Sequence, residues 1–463
     1  PNQKGQRGYE GVLREDNATL AELLSAEGYR THFAGKWHLG MAPEQAPHSR
    51  GFQSSFVMLE GMHNHFGYDM AGNGVGHPRT YLKNGERIAS LPEDFYSSDF
   101  FADSLIEQLR AARAEAEGNR PFLAYLAFTA PHWPLHAPAE TIAKYKGRYD
   151  EGYDALGKRR YRRLVELGLI GESAVPHDLD LARRWETLSP EQQAMSARLM
   201  EVYAAMVDRM DHNVGRVIEA LRETGELDNT YIFFLSDNGA EAADVTSLPS
   251  DPGSTSLQQS PARFLGIEGA DNSLDNIGSR TSFASLGPGW AGAASTPFWR
   301  VKAYQTEGGT RVASFLSGPG IEPRQGSTFT SVMDVAPTLL ELAGLSPPGS
   351  EFAGRSIRPL RGKSWGPWLR GERNDVYGPA EVVGFELFGG RGVRQGNWKL
   401  LDTGDGQWRL FDVGSDPGET RDLSAEEPER KTALLAAWEA YAEDVGVVMP
   451  DAPRPIVNRP LQR

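Results

Sequence analysis

Cysteine is absent from the 463 residues of this chain. Disulfide bonds and thiolate metal sites are therefore excluded, and cysteine usage indicates no particular redox compartment. Long hydrophobic runs are missing as well. No apolar stretch approaches the roughly 20 residues of a membrane-spanning helix, and no signal peptide is visible. We expect a soluble protein without a membrane partner, in a cytoplasmic, periplasmic or secreted location.

Positively charged side chains are fewer than negatively charged ones. The chain has 48 Lys and Arg against 62 Asp and Glu, a formal net charge of −14. This balance argues against nucleic acid as a partner. It is compatible with an anionic substrate, because a few Lys or Arg side chains and a metal ion can reverse the local field. With 39% hydrophobic residues, the length allows one large α/β domain with a smaller partner, or about three average domains.

A run of five apolar residues, Tyr231 to Leu235, leads directly into Ser236-Asp-Asn-Gly239. The run predicts a strand buried on both faces, as in a parallel sheet covered by helices. Open α/β sheets bind ligands just beyond the carboxyl ends of their strands, which is where Asp237 and Asn238 stand. Their side-chain oxygens suit a hard cation such as calcium or magnesium. The alternative is a plain turn that caps the next helix.

Two basic side chains, Lys36 and His38, stand two residues apart in the loop Gly35-Lys-Trp-His-Leu-Gly40. On an extended segment, residues with this spacing face the same side. Lys36 can then hold an anion as a point charge, and His38 can give or take a proton. The alternative is a surface lysine beside a histidine whose hydrogen bond is purely structural.

Further basic side chains follow other predicted strands. The strand Phe122 to Phe128 ends in a proline-rich loop that carries His132, which we expect on the same rim as Asp237. A structural role for this histidine is the alternative. Lys302 and Arg311 flank a Glu-Gly-Gly turn and form either an anion site or a charged edge.

The pair His63-Asn-His65 is a weaker candidate. Two histidines can bind a metal, but no further ligands stand at a fixed spacing from them. The surrounding sequence is rich in Gly and Asn and shows little periodicity. We therefore expect a substrate-facing loop or plain surface at these two residues.

Capping signals and strand patterns predict the architecture. One helix opens at Asn17-Ala-Thr19 and another at Ser189-Pro-Glu-Gln192, and the second reaches Glu223. After residue 371, short strand patterns alternate with turns and precede a helix from Glu427 to Glu443. We predict an α/β fold with a large mixed, mostly parallel sheet sandwiched by helices in residues 1–375. A smaller C-terminal α+β domain of antiparallel strands and one helix should occupy residues 376–463.

Together these motifs resemble the sulfatase family of the alkaline-phosphatase-like superfamily over nearly the whole chain. The opening residues, through Gly8-Tyr-Glu-Gly11, are most similar to the bacterial arylsulfatase branch. The other motifs occur in the family's order: Gly35-Lys-Trp-His-Leu-Gly40, Ala130-Pro-His132-Trp-Pro, Ser236-Asp-Asn-Gly239, Lys302 with Glu307-Gly-Gly309, Val332-Met-Asp-Val-Ala-Pro-Thr338 and Asp416-Pro-Gly-Glu419.

The resemblance implies a role for each candidate residue. Asp237 and Asn238 would bind the divalent cation, calcium or magnesium. The catalytic positions that it implies are Lys36, His132 and Lys302 on the sulfate oxygens and the leaving group, with His38 at the nucleophile.

One departure from the family is large. Its nucleophile is a formylglycine made from Cys or Ser in a Cys/Ser-x-Pro-x-Arg motif, and this motif is absent here, as is the family's Asp-Asp pair of further metal ligands. Ser260-Pro-Ala-Arg263 has the wrong spacing and lies in the wrong part of the order. Both missing items belong before Pro1. We therefore predict a fragment that is inactive as it stands, from a parent protein matured by a formylglycine-generating enzyme.

The predicted function of that parent is hydrolysis of aryl or simple alkyl sulfate esters with a divalent cation and formylglycine. Two alternatives stay open. A phosphonate monoester or phosphodiester hydrolase can use the same scaffold, because its substrates are also tetrahedral anions. A non-catalytic, anion-binding relative is the alternative from another class of protein.

Overall fold

The structure, a computed structural model, describes residues 2–71, 77–114, 120–245, 265–323 and 328–451. The motif Ser260-Pro-Ala-Arg263 lies outside the described residues. The helices are α1 (Leu20–Ala26), α2 (Ser97–Ala114), α3 (Ala139–Ala143), α4 (Gly152–Glu166), α5 (Pro190–Glu223), α6 (Pro288–Ser295), α7 (Glu307–Thr310), α8 (Val335–Leu342), α9 (Gly366–Leu369) and α10 (Pro428–Val445). The strands are β1 (Arg30–Lys36), β2 (Ser54–Met58), β3 (Tyr81–Lys83), β4 (Glu86–Arg87), β5 (Phe122–Ala127), β6 (Ile232–Leu235), β7 (Ser314–Ser317), β8 (Glu351–Phe352), β9 (Arg355–Ser356), β10 (Val382–Leu387), β11 (Gly390–Gln395), β12 (Trp398–Asp402) and β13 (Arg409–Asp412).

The largest sheet of the described residues has five strands in the order β4-β3-β2-β1-β5. Strand β1 runs parallel to both β2 and β5, whereas β3 is antiparallel to β2. Helices α1 and α2 pack against β1. Because of this cover, Phe33 and Ala34 are fully buried in it. Since β1 and β5 are parallel, the loops that follow them leave the sheet at the same end.

The strand before Asp237 differs from the prediction. Strand β6 pairs antiparallel with β7 in a separate two-stranded sheet and is only partly buried. Its aromatic residues pack locally, since the Phe234 ring stacks 5.0 Å from Phe315 and the Phe233 ring lies 5.2 Å from Trp365. The expectation of a parallel strand buried on both faces was therefore wrong, because an aromatic run also suits a two-stranded ribbon whose rings cover each other.

Helix α5 begins where its capping signal predicted. Ser189 is the N-cap, and its side chain and that of Gln192 exchange hydrogen bonds with each other's backbone amides. The apolar face of the helix buries Val202, Ala205 and Met206 completely. Neither this helix nor any other among the described residues has the combination of length and apolar character needed to cross a bilayer.

The C-terminal residues form a four-stranded antiparallel sheet in the order β10-β11-β12-β13, with α10 packed against it. The main hydrophobic cluster of this unit contains the buried residues Val393, Leu400, Leu410, Leu434 and Trp438. The mixed helix-covered sheet and the small antiparallel C-terminal unit agree with the predicted fold class. The exact boundary after residue 375 stays a prediction.

Candidate active site

Lys36 is the last residue of β1, and the glycine before it allows this position. A Cβ on Gly35 would lie 2.0 Å from the carbonyl oxygen of Ala127 at the end of β5, and the φ of Gly35 is 133°. Only glycine fits this close approach of two strand ends. Burial lowers the pKa of Lys36; Asp237 acts to raise it and Lys302 to lower it. The three charged groups therefore face a common space.

His38 lies beside this space with an unusual backbone. Its φ of 56° is in the left-handed region, so the extended segment that was expected to carry Lys36 and His38 ends at β1. The imidazole instead packs over Gly61, where an added Cβ would lie 2.5 Å from its Cε1. Burial lowers the pKa of His38, and Lys36 and Lys302 lower it further. The side chain is thus kept neutral close to two ammonium groups.

His132 follows β5 and reaches the same space. Its Nδ1 donates to the carbonyl of Trp133 at 2.7 Å, so Nε2 is the ring nitrogen that remains for a contact with substrate. Burial, with contributions from Lys302 and Lys36, lowers the pKa of His132 to about 4. The neutral imidazole is therefore the resting form at neutral pH.

A buried histidine group holds the backbone at His132. His65 Nε2 donates to the His132 carbonyl at 3.2 Å, and Ser97 donates to His65 Nδ1 at 2.8 Å. His136 accepts the backbone amide of His65 and donates through Nε2 to the carbonyl of Ser282 at 2.9 Å. This group supports the loop rather than binding substrate.

The expectation of a surface or substrate-facing position for His63 and His65 was wrong. Their exposed fractions are 1% and 0%. His63 Nδ1 is bonded to the hydroxyl of Tyr81. The Gly- and Asn-rich sequence around the pair gave no sign of these partners, since Tyr81 and Ser97 lie later in the chain.

Asp237 and Asn238 follow β6, and their loop is packed backbone to backbone on α7. The Gly239 amide donates to the carbonyl of Gly309 at 3.0 Å, and a Cβ on Gly239 would lie 1.9 Å from the carbonyl oxygen of Gly308. The Glu-Gly-Gly motif is therefore a close-packing element that fixes the loop. The nearby Arg311, for which an anion site and a charged edge were the two alternatives, pairs with Glu307 at 3.7 Å.

Lys302 carries a partner that the sequence did not reveal. Its Nζ lies 3.0 Å from Oε2 of Glu241, and its backbone amide donates to the carbonyl of Ala240 at 3.0 Å. Glu241 also acts on the pKa of His132. In the sequence, the only signal for Glu241 was its position three residues after Asn238, in the loop that continues from β6.

A divalent cation fits these residues in kind. Asp237 and Asn238 offer hard oxygen donors at a strand end, as calcium and magnesium require. They supply two side chains, whereas calcium takes about six to eight oxygen ligands. No group of three or more His, Asp or Glu side chains placed to hold a metal occurs in the described part of the chain. Asp237 and Asn238 alone are therefore an incomplete ligand set.

The site offers several hydrogen-bond donors to a tetrahedral anion. Two ammonium groups, Lys36 and Lys302, face two neutral imidazoles, and two carboxylates, Asp237 and Glu241, balance the positive charge. Partial burial strengthens these interactions relative to water. The arrangement can bind an oxyanion and pass a proton to a group attached to it.

Comparisons with known proteins identify the family of this chain. Residues 2–345 match the sequence profile of the sulfatase family. An uncharacterized sulfatase of Schizosaccharomyces pombe is 41% identical over 459 residues, covering 96% of this chain and 80% of its own length. An arylsulfatase of Klebsiella aerogenes is 40% identical over 366 residues, covering 78% of this chain and 75% of its own length.

The fold comparison agrees with the sequence comparison. The crystal structure of Ps i-CgsB superposes with a TM-score of 0.64 at 21% identity, covering 96% of this chain and 77% of that one. Sulfatase structures from Bacteroides fragilis and from Pseudoalteromonas sp. are also similar, and they share the alkaline-phosphatase-like fold that the sequence motifs had indicated. This chain therefore belongs to the sulfatase family, whose members hydrolyse sulfate esters.

Proposed function

We propose that this protein hydrolyses aryl or simple alkyl sulfate esters. The observation that carries the proposal is that Lys36 and Lys302 both lower the pKa values of His38 and His132, which supports a common site for the four side chains. A sulfate ester brings one negative charge and an ester oxygen into that space. The similarity to a bacterial arylsulfatase supports the aryl or alkyl class.

In the proposed reaction, Lys36 and Lys302 bind the sulfuryl oxygens and stabilise the charge that grows on them. His132 gives a proton to the departing ester oxygen. Its Nδ1 is already committed to the Trp133 carbonyl, so the proton must come from Nε2 of the imidazolium. The bound anion favours that charged form, which offsets the low pKa of His132 in the free site. We assign His38 to the nucleophile side, where it assists release of sulfate.

Two components complete the proposal. Asp237 and Asn238 would hold a divalent cation, calcium or magnesium, which would supply Lewis-acid stabilisation of a bound anion. The nucleophile is a formylglycine that a formylglycine-generating enzyme produces. No Cys/Ser-x-Pro-x-Arg motif occurs in the 463 residues, so no step is assigned to a nucleophile among them.

The test is turnover of 4-nitrophenyl sulfate by the protein expressed from its complete natural reading frame with a formylglycine-generating enzyme. We expect chelator-sensitive turnover that falls by about 10²- to 10³-fold in Lys302→Ala and in Asp237→Ala. Lys158→Ala, on the exposed face of α4, is the matched control and should keep full activity. A faster reaction with the corresponding aryl phosphonate, or no turnover by modified protein, would overturn the assignment to sulfate esters.

A further inference from the structure

A buried ion cluster joins the C-terminal sheet to the rest of the molecule. Lys399, on β12, places its Nζ 2.8 Å from Oε1 of Glu307 and 3.0 Å from Oε1 of Glu419. The side chains of the three residues are 1%, 4% and 0% exposed. Glu419 also accepts the backbone amide of Glu307 through Oε2 at 2.8 Å. We call Glu307, Lys399 and Glu419 the buried triad.

The charges of the buried triad are arranged so that Glu307 is the stronger anion. Nη1 of Arg394 and Nη1 of Arg311 each lie 3.7 Å from the Glu307 carboxylate, in addition to Lys399. Burial alone raises the pKa of Glu307, but Lys399 and Arg394 outweigh it and the pKa is lowered. Burial, reinforced by Glu307, raises the pKa of Glu419 to about 7. Glu307 is therefore fixed by three cations and one carboxylate contact.

Glu307 is also the first residue of α7, and the two glycines that follow it are packed too closely to carry a side chain. A Cβ on Gly308 would lie 2.1 Å from the carbonyl oxygen of Arg300, and one on Gly309 would lie 2.2 Å from that of Tyr304. These contacts press α7 against the segment that carries Lys302. On its other side, the Gly309 carbonyl accepts the Gly239 amide at 3.0 Å. Gly239 directly follows Asn238.

We propose that Lys399 and Glu419 are positioning residues for the reaction, which act through Glu307 and the α7 glycines on the loop of Asp237 and Asn238. The inference rests on the proposed function for the roles of those two loop residues. The path of contact is continuous, from the C-terminal sheet to Glu307, from α7 to Gly239, and then along the chain. The C-terminal sheet thus contacts α7, the helix on which this loop rests.

Hydrogen exchange of the chain itself tests the positioning separately from catalysis. The double variant Lys399→Met/Glu419→Gln removes one charge of each sign, so Glu307 keeps Arg394 and Arg311. Glu419→Gln alone is the milder variant if the double variant does not fold. We expect amides between residues 232 and 240, Gly239 above all, to exchange about tenfold faster in either variant.

Asp402→Asn is the matched control. Asp402 is a buried carboxylate on the same strand β12, and it pairs with Arg391 at 3.2 Å rather than with Glu307. This variant should lower the free energy of unfolding without faster exchange at Gly239. Equal exchange at Gly239 in the triad variants and in Asp402→Asn would overturn the inference and leave the proposed function standing.

Kinetics of the matured protein supply the second readout. We expect the triad variants to lose kcat and to need more cation for half-maximal rate, whereas Asp402→Asn keeps both values. Lys399→Arg can still bridge two carboxylates and should recover part of the loss. If the unaltered protein itself shows no turnover, the proposed function fails, and the exchange result still decides the positioning role.

Discussion

Oε2 of Glu241 lies 3.0 Å from Nζ of Lys302, inside the space proposed for the sulfate group. Both side chains are about one quarter exposed, at 27% and 28%. The carboxylate therefore competes with any anion that binds the same ammonium group. It also fixes the direction of Lys302, together with the backbone contact to Ala240.

The first prediction concerns this competition. Glu241→Gln should bind inorganic sulfate about tenfold more tightly, because it frees the ammonium of Lys302 and removes a negative charge from the site. Isothermal titration calorimetry with sulfate measures the change. Asp208→Asn, which breaks a pair with Lys144 at 3.2 Å elsewhere, is the control. Unchanged or weaker binding in Glu241→Gln would contradict the competition.

The second prediction concerns the backbone contact below Asn238. Gly239→Ala places a Cβ 1.9 Å from the carbonyl oxygen of Gly308, which cannot retreat because Gly308 is itself enclosed. We expect a loss of about 2 to 4 kcal/mol in the free energy of unfolding. Gly215→Ala, on α5, meets no described atom within 4 Å and should instead stabilise by about 0.5 to 1 kcal/mol. Chemical denaturation measures both variants, and a neutral Gly239→Ala would refute the close packing.

The third prediction follows from the raised pKa of Glu419. Its pKa of about 7 in the folded protein exceeds the ordinary value of 4.5, so its contribution to stability is complete below pH 4.5 and is lost as the pH rises to 7. Glu419→Gln removes this dependence. Relative to the unaltered protein, the variant should therefore gain on the order of 3 kcal/mol between pH 4.5 and 7. Urea unfolding across that range provides the measurement, and a constant difference would show that Glu419 does not titrate there.

The fourth prediction concerns the buried histidines, where the sign is opposite. Burial lowers the pKa of His65 to about 3 and that of His136 to about 4, below the ordinary 6.5. Their contribution to stability is complete above pH 6.5 and is lost as the pH falls towards those values. Each should cost on the order of 2 kcal/mol between pH 6.5 and 5. His136→Gln, which can still donate to Ser282, should show a shallower loss in acid, with the exposed His212→Gln as control.

Local signals carried much of the fold prediction. Ser189 with Gln192 and Thr19 with Glu22 form the capping boxes that begin α5 and α1. The four C-terminal strands follow residue 371 and precede α10, as predicted, because turns and alternating side chains mark hairpins within a few residues. The sequence did not predict that β6 pairs with β7, since β7 lies about 80 residues later in the chain.

The residues of the candidate site likewise fall into two groups, those that the sequence predicted and those that it did not. Lys36 and His132 follow parallel strands of one sheet, where topology alone brings polar side chains together, and Lys36 interacts with both His132 and Asp237. Glu241 and the buried triad escaped notice because a carboxylate in a loop, or a lysine in a strand, has no local signature. Their roles depend on partners such as Lys302 and Glu307 that only the folded chain brings near.

The length of helix α5 has a consequence for how the molecule unfolds. Its 34 residues span roughly 50 Å at the usual rise per residue. Along that length Met200, Val202 and Leu221 each belong to a different hydrophobic cluster. One continuous helix thus contributes side chains to three hydrophobic clusters that are otherwise separate. Bending or cutting it would disturb all three together, so this α/β part should yield to heat or protease as a single cooperative body.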